Sequence, residues 1–252
     1  MIDIHCHLTY KGLDEIKDRV IEEARNEMDA IITCGYPDDF EKALEVSQNN
    51  KGFVYLTLGI HPIHIIKMSD KEIDEFKELV IQNKDNILAV GEIGLDYHWI
   101  KETDKIKRTK EVFIDFLELS KELKLPVVLH TRKAEQGCFD IVTNNDIKQA
   151  IFHSYSGNMT LARQIIEENY FISLTTTLMG SKNTKKIAQK YPLENLFTET
   201  DSPFLSPYPD QKINVPQNVR FVLERMSELR EMKIEEIDKI IMQNSKKVFN
   251  LS

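Results

Sequence analysis

Short apolar runs rich in β-branched residues alternate along the chain with longer stretches in which apolar residues recur every three or four positions. The short runs predict buried β-strands, and the longer stretches predict amphipathic helices. Eight runs have strand character: Met1–His5, Ala30–Thr33, Val54–Leu58, Ile87–Val90, Val127–Leu129, Ala150–Phe152, Phe171–Leu174 and Leu196–Thr198. Strands that alternate with helices favour βα units around a parallel sheet.

The predicted helices are clearest where caps or regular spacing mark them. In Thr109–Lys124, apolar residues recur at helical spacing with charges between them. The segment Ser69–Glu72 has the spacing of a capping box, which predicts a helix that runs to about Gln82. Two more helices, Pro216–Leu229 and Ile234–Phe249, are predicted after the eighth strand.

The length and the order of the elements favour one fold. A chain of 252 residues has the usual size of a single barrel of alternating strands and helices. We predict an α/β fold, a TIM-type (β/α)8 barrel, regular or distorted, with extra C-terminal helices. No linker or change of composition divides the sequence, so residues 1–252 are expected to form one domain. An open doubly wound sheet is the alternative, but no glycine-rich phosphate loop follows a predicted strand.

Composition and charge narrow the function classes. Hydrophobic residues make up 41% and charged residues 29%, which is typical of a globular protein. No apolar run approaches the roughly 18 residues that a membrane span needs, and the three cysteines form no CxxC pair. A strand that begins at Met1 leaves no room for a secretory signal, so we expect a cytoplasmic protein. The net charge of −8 argues against a protein that coats nucleic acid. A nuclease remains open, because metal ions in a cleft supply positive charge locally.

Side chains that can bind metal ions follow most of the predicted strands. They are His5 and His7 at the first strand, His61 after the third, Glu92 at the end of the fourth, His130 at the fifth, His153 at the sixth and Asp201 after the eighth. The C-terminal ends of barrel strands converge on one face, where active sites lie. Imidazoles and carboxylates together suit zinc, manganese, iron, cobalt or nickel, and magnesium where carboxylates and water dominate.

Each of these residues alone is weaker evidence than the set. His5 and His7 are two positions apart on a strand and therefore point to the same side. Cys6 faces the other way, as a small buried hydrophobic residue. An isolated His130 or His153 is more often a hydrogen-bonded core histidine than a ligand. Their common placement at strand ends indicates a shared metal site.

Six segments carry a family resemblance that spans almost the whole chain. They are Ile2-Asp-Ile-His-Cys-His-Leu8, Gly59-Ile-His-Pro62, Gly91-Glu-Ile-Gly-Leu-Asp-Tyr97, Pro126-Val-Val-Leu-His-Thr-Arg-Lys-Ala134, His153-Ser-Tyr-Ser-Gly157 and Glu199-Thr-Asp-Ser-Pro-Phe-Leu205. With these segments in this order, the sequence resembles the TatD family of metal-dependent deoxyribonucleases, within the wider group of amidohydrolase-like metal barrels.

The resemblance implies a barrel that holds two adjacent divalent ions, Mg²⁺, Mn²⁺ or Zn²⁺. Four residues match the family's ligands of the first ion: His5, His7, Glu92 and Asp201. Glu92 also bridges to the second ion, which His130 and His153 complete. Many related amidohydrolases have a carboxylated lysine in place of this glutamate, so Glu92 favours a TatD-like nuclease.

The sequence departs from the family pattern at two places. Asn214-Val-Pro216 stands where the family often has Asn-Glu-Pro, and Thr9-Tyr10 stand where an acidic residue is usual. Neither departure touches a proposed metal ligand. Both departures affect how a substrate fits. The resemblance therefore supports the family's metal site in this chain more strongly than the family's substrate.

Asp201, Glu92 and His61 are the candidate catalytic residues. Asp201 is expected to orient the attacking water and accept its proton; the alternative is a plain metal ligand or a surface carboxylate. His61 is expected at the barrel mouth, where it contacts phosphate or the leaving oxygen, or has a structural role. Arg132 binds a nonscissile phosphate if the fifth strand continues past His130, or forms an ion pair with a nearby carboxylate. Asp96 and Tyr97 are expected to support the site, and His64 and His98 are expected to be surface or packing residues.

Three functions fit these observations. The leading hypothesis is a nuclease that hydrolyses DNA phosphodiesters with divalent ions, through strand ends, because the negative net charge disfavours binding along a duplex. The first alternative is a hydrolase of a small amide, lactone or ester on the same barrel. The second is a non-catalytic metal-binding or assembly protein. Six ligands shared by two ions leave coordination positions open, whereas structural zinc sites are closed. No membrane and no obligate protein partner is indicated.

Overall fold

Eight parallel strands alternate with helices in the computed structural model, which describes residues 1–208 and 210–251. The strands are β1 (Ile2–Cys6), β2 (Ala30–Gly35), β3 (Val54–Leu58), β4 (Ile87–Gly94), β5 (Val127–His130), β6 (Ala150–Phe152), β7 (Phe171–Leu174) and β8 (Leu196–Thr198). Each pairs with its neighbours in sequence, so the order is β1 to β8. The strands are rich in apolar residues because both of their faces are buried. The predicted (β/α)8 barrel is confirmed.

Ten α-helices among the described residues connect and follow the strands: α1 (Lys17–Ala24), α2 (Phe40–Asn49), α3 (Pro62–Ile65), α4 (Asp70–Gln82), α5 (Thr103–Leu123), α6 (Glu135–Asn144), α7 (Met159–Glu167), α8 (Lys182–Lys190), α9 (Val219–Arg230) and α10 (Ile234–Phe249). The predicted capping box opens α4. The hydroxyl of Ser69 accepts a hydrogen bond from the Glu72 N–H, and the Glu72 carboxylate accepts one from the Ser69 N–H. Within the described ranges, none of the helices combines the length and apolar character that would let it cross a bilayer.

The barrel closes between β8 and β1 through loop contacts and not through a strand ladder. The Asp201 N–H donates to the His5 carbonyl at 3.0 Å, and the His7 N–H donates to the Ser202 carbonyl at 2.7 Å. The two C-terminal helices are present as predicted, and α10 packs against both β8 and β1. The expected distortion therefore lies at this seam, next to the first pair of histidines.

Several elements are longer than the sequence pattern predicts, and helix α5 and strand β4 differ most. Helix α5 begins at Thr103, six positions before the predicted start, because its first turns are mostly charged and carry little apolar signal. Strand β4 continues to Gly94, since Ile93 is buried and pairs with Leu129 of β5. Glu92 therefore lies inside β4 and not at its end. Glycines on either side of this segment weaken its β-propensity, and the pairing with β5 compensates.

Candidate metal centre

The C-terminal end of β1 places two buried imidazoles side by side. His5 and His7 are only 1% and 4% exposed, and their ring centroids are 4.8 Å apart. Cys6 between them is fully buried, and its thiol lies 3.5 Å from the carbonyl of Ile32 on β2. The prediction that Cys6 faces away as a packing residue is confirmed.

Glu92 lies at the centre of the cluster. Its Oε1 lies 2.5 Å from His130 Nδ1 and 3.0 Å from His153 Nε2. Its Oε2 accepts the hydroxyl of Tyr36 and lies 3.6 Å from His5 Nε2. Burial by itself would raise the pKa of Glu92, but the charges of His153 and His130 hold it well below its ordinary value. One ionised carboxylate thus faces three imidazoles.

Two further carboxylates hold the imidazoles from behind. Asp96 accepts a hydrogen bond from His130 Nε2–H at 3.0 Å. Glu199 Oε1 accepts hydrogen bonds from His153 Nδ1–H at 3.1 Å and from the Ser154 N–H at 2.6 Å. Burial would lower the pKa of His153, yet the negative charges of Glu199 and Glu92 raise it well above its usual value. Carboxylates in this position fix the tautomer and orientation of metal-binding imidazoles.

Asp201 reaches the cluster from the loop after β8. Its φ of 55° lies in the left-handed region, which aspartate and asparagine tolerate better than most residues. Its Oδ1 lies 3.2 Å from His7 Nε2 and 3.9 Å from His5 Nε2. Burial would raise the pKa of Asp201, but the hydrogen bond with His7 and the charge of His153 lower it. Asp201 is therefore a carboxylate at the β1 side of the cluster.

The donor atoms are arranged as a divalent ion requires. The ligand atoms of His5, Glu92 and His153 lie within 4.8 Å of one another, as do those of His5, His7 and Asp201. The buried His5 Nε2 and His7 Nδ1 have no hydrogen-bond partner among the described residues, which is costly for a polar atom unless a cation is bound. Burial and the neighbouring His153 lower the pKa of His5, which leaves a lone pair available. The nitrogen and oxygen donors fit a divalent metal ion.

His61 borders the cluster, but its ring nitrogen caps a helix instead of facing Glu92. It precedes α3 and caps it, since its Nδ1 accepts the N–H of Ile63 at 3.2 Å. Burial and the nearby His130 lower its pKa to about 3, so the ring is neutral. With Nδ1 accepting, the ring proton lies on Nε2. Its ring is 4.2 Å from that of His130, so His61 presents an N–H donor beside the cluster.

The expectation that the fifth strand continues past His130 as far as Arg132 is wrong. Strand β5 ends at His130, and Arg132 lies in the following turn. No ion pair joins Arg132 to a carboxylate within residues 1–208 and 210–251 either, in contrast to Arg108, which pairs with Asp70. Its guanidinium instead lies over the ring of Trp99, 5.6 Å from the centroid. A guanidinium is stable on an aromatic face without a carboxylate partner, because cation–π attraction holds it there.

Two other histidines pack as predicted. The ring of His98 lies edge-on to Trp99 at 4.6 Å, on the exposed surface. The ring of His64 lies edge-on to Tyr36 at 5.0 Å. Asp96 supports the site through its hydrogen bond with His130, and the Tyr97 N–H donates to the Arg132 carbonyl at 2.9 Å.

Four residues of the cluster are absent from the sequence prediction: Tyr36, Glu199, Asp3 and Cys34. Tyr36 follows β2, a strand to which no site residue was assigned. Asp3 lies within β1 and Glu199 directly follows β8, and both carboxylates are fully buried. Asp3 accepts the Thr200 N–H at 2.9 Å and so fixes the loop that carries Asp201.

Cys34 positions Glu92 from β2, the strand on the other side of β3. Its Sγ accepts the Glu92 N–H at 3.1 Å. Burial raises the pKa of this thiol well above its usual value, so it remains protonated. A protonated thiol is a poor metal ligand.

Two glycines allow the strands that carry the cluster to approach closely. A Cβ on Gly59 would lie 2.5 Å from the carbonyl oxygen of Glu92. One on Gly94, where φ is +143°, would lie 2.1 Å from the carbonyl oxygen of His130. Backbone atoms cannot move aside like a flexible side chain. Both glycines are therefore required for the positions of these ligands.

Comparison with known proteins identifies one family over almost the whole chain. The model of the TatD related DNase family matches residues 2–250. A protein of Methanocaldococcus jannaschii, named as an uncharacterized metal-dependent hydrolase, is 41% identical over 249 residues, which cover 98% of this chain and 96% of that protein. The human protein named deoxyribonuclease TATDN3 is 29% identical over 259 residues, covering 99% and 94%.

The fold is shared as well. The crystal structure of a TatD homologue from Escherichia coli K12 superposes with a TM-score of 0.91 at 26% identity, over 100% of this chain and 98% of that chain. A family match over nearly the whole sequence, a common fold and a buried cluster of metal-binding side chains together make this chain a member of the TatD related DNase family.

Proposed function

We propose that this chain is a deoxyribonuclease that hydrolyses phosphodiester bonds with the help of two divalent ions. The observation that carries the proposal is the position of Glu92, with one oxygen toward His130 and His153 and the other toward His5. A carboxylate that faces two groups of imidazoles suits a bridge between two ions. The human relative is named a deoxyribonuclease, in agreement with this activity.

His5, His7, Glu92 and Asp201 would hold the first ion, and Glu92, His130 and His153 the second. When bound, Mg²⁺, Mn²⁺ or Zn²⁺ would act as a Lewis acid and lower the pKa of water toward neutrality. Asp96 and Glu199 keep His130 and His153 oriented. The burial of His5, His7, Glu92 and His153 excludes bulk water from that part of the group and strengthens its electrostatic interactions.

Three residues have proposed roles toward the substrate. Asp201 orients the attacking water and accepts its proton, since its lowered pKa keeps it ionised. His61 donates its Nε2–H to a phosphate or leaving oxygen, because its Nδ1 is occupied by the Ile63 N–H. Arg132 binds a nonscissile phosphate through guanidinium N–H groups that no carboxylate of the described residues engages.

DNA strand ends are the proposed point of entry. The net charge of −8 disfavours binding along a duplex through its phosphates, which needs a broad basic surface. An end or a single strand can enter a buried centre more easily than a duplex of about 20 Å diameter. We also propose that the enzyme acts in the cytoplasm, in line with three buried, free cysteines, and that residues 1–252 form one domain.

The test is hydrolysis of DNA by metal-stripped protein after addition of Mg²⁺, Mn²⁺ or Zn²⁺. A linear end-labelled strand and a closed circular strand of equal length are compared. We expect metal-dependent cleavage, faster on the linear strand. Equal rates would contradict the role of ends but not the nuclease. Turnover of simple esters or lactones without DNA cleavage would support the small-molecule alternative, and ion binding without any turnover would support a non-catalytic protein.

Glu92→Gln tests the bridge directly. It keeps the shape of the side chain but removes the charge that both ions would share. It should therefore weaken the binding of both ions and not of one ion alone. Glu75→Gln, at an exposed carboxylate of α4, is the matched control. Calorimetric titration with Mn²⁺ is the measurement, and parent-like binding of both ions would exclude the bridge.

A further inference from the structure

The turn after β4 presents an aromatic ring to solvent beside the candidate metal centre. Trp99 is 61% exposed, more than the other exposed large hydrophobic residues of the described chain. It is also the one tryptophan in the sequence. The indole is not part of the hydrophobic core and supports no packing there, so its conformation has to be explained by local contacts.

Local contacts hold the indole in place. The carboxylate of Asp96 accepts the N–H groups of His98 and Trp99, at 2.8 and 2.9 Å. The guanidinium of Arg132 lies over one face of the indole, and the His98 ring contacts it edge-on. These contacts restrict the conformations of the ring before any ligand arrives, which reduces the entropy lost on binding.

The same carboxylate connects this turn to the metal centre. Asp96 Oδ1 binds the backbone that carries Trp99, and Asp96 Oδ2 accepts His130 Nε2–H at 3.0 Å. Arg132 follows His130 by two positions, and its carbonyl accepts the Tyr97 N–H. The Trp99–Arg132 pair therefore adjoins the side of the centre that would hold the second ion.

We propose that Trp99 and Arg132 form a stacking platform for one unpaired nucleobase of the DNA substrate. This inference rests on the proposed function. The base stacks on the indole, and Arg132, which has no carboxylate partner among the described residues, also attracts the phosphate of the same strand. A base inside a duplex is covered on both faces by its neighbours, so only an unpaired or terminal base can use the platform.

The charge of the protein gives a reason for such a platform. A chain with a net charge of −8 gains little affinity from long-range attraction of phosphates. Stacking on an aromatic ring contributes to binding without a basic surface and without preference for one base. The platform would thus replace a basic groove and select single strands.

Because Trp99 is the sole tryptophan, its fluorescence reports directly on the platform. The probe is a short single strand with phosphorothioate linkages, which resist hydrolysis, added to the Mn²⁺-loaded protein. A second strand with the same linkages but without bases is the control for phosphate binding. We expect saturable quenching by the first strand and at least about fivefold weaker binding of the second. Equal binding and equal quenching by both strands would overturn the platform.

Kinetics give an independent test. Trp99→Ala should raise KM for single-stranded DNA about 5- to 150-fold, the range expected for loss of one stacked base, with kcat at saturating DNA unchanged. Trp99→Phe should retain most of the affinity. Ile81→Ala removes another exposed apolar side chain, at the end of α4 that leads into the start of β4, and should behave like the parent. A parent-like KM in Trp99→Ala would refute the platform.

The outcomes separate this inference from the proposed function. If the parent cleaves DNA but neither the fluorescence nor KM responds as expected, the platform is wrong and the nuclease stands. If the parent cleaves no DNA, the proposed function fails, and the fluorescence titration alone decides whether a base binds at Trp99. Arg132→Gln retains the fluorophore and should weaken binding of the base-bearing strand, and unchanged binding would remove Arg132 from the platform.

Discussion

Replacing Glu199 with glutamine tests whether a buried carboxylate behind His153 positions this imidazole for the second ion. Glutamine has almost the same shape and retains an oxygen that can accept hydrogen bonds. What is lost is the negative charge toward two donors, His153 Nδ1–H at 3.1 Å and the Ser154 N–H at 2.6 Å. The fold should therefore survive while the electrostatic contribution is removed.

The magnitude follows from these two hydrogen bonds. A hydrogen bond to a charged group contributes about 1.5–3 kcal/mol, and a neutral one about 0.5–1.5 kcal/mol, so each loses about 1 kcal/mol. The bond to Ser154 belongs to the fold, and its weakening should lower Tm by about 2–4 °C in a chain of this size. The bond to His153 supports metal binding, and its weakening corresponds to a factor of about 5 to 10 in Kd. Losses for such outer partners of metal ligands are typically about 10- to 100-fold.

The assay is calorimetric titration of metal-stripped Glu199→Gln with Mn²⁺, together with turnover as a function of metal concentration. The second ion should bind about tenfold more weakly, and turnover should recover at saturating metal. Glu135→Gln is the matched control, because Glu135 accepts a hydrogen bond from Ser156 Oγ in the adjacent loop but does not contact His153. Parent-like affinity for both ions in Glu199→Gln would refute the positioning role.

The remaining predictions concern catalysis, packing, metal binding and capping. Asp201→Asn should keep the parent Tm, because asparagine also tolerates the left-handed φ, yet lose at least about a hundredfold in turnover at saturating metal; unchanged turnover would remove Asp201 from the mechanism. Gly59→Ala should lower the free energy of unfolding by about 1–3 kcal/mol and weaken metal binding, because the new Cβ clashes with the Glu92 carbonyl. The control Gly180→Ala, whose Cβ would meet no atom within 4 Å, should change neither property. Urea unfolding measures the stability of both variants. Chelation should lower Tm by about 5–10 °C if an ion is present at about 100 times its Kd, and an unchanged melting curve would count against the metal site. Ser69→Ala should cost about 1 kcal/mol of unfolding free energy by removing the cap of α4, with metal affinity unaffected.

The sequence alone determined the types of the elements and most of the site. Strands such as Val54–Leu58 and Leu196–Thr198 have the predicted bounds, because a short run of apolar, aromatic and β-branched residues is a local signal. The capping box of α4 was predicted for the same reason, since its partners are three positions apart. The histidines could be assigned to one end of the barrel because the C-terminal ends of parallel strands meet there.

The tertiary structure decided which side chains meet. Tyr36 and Glu92 are 56 positions apart, and the Asp3 and Thr200 that hold the Asp201 loop are 197 positions apart. Nothing in the local pattern around Tyr36 indicates that its hydroxyl reaches a carboxylate on another strand. Arg132 likewise turned toward Trp99, because the strand that would have directed it inward ended two residues earlier.

The physical reason is the range of the interactions. Helix and strand periodicity arises from contacts within a few residues, so it is visible in the sequence. The contacts of Glu92 with Tyr36, His130 and His153 join different strands, so they exist in the closed barrel and not within any one element. Their partners, such as Glu199 for His153, are selected by that closure and by the cost of leaving a buried carboxylate or imidazole unpaired.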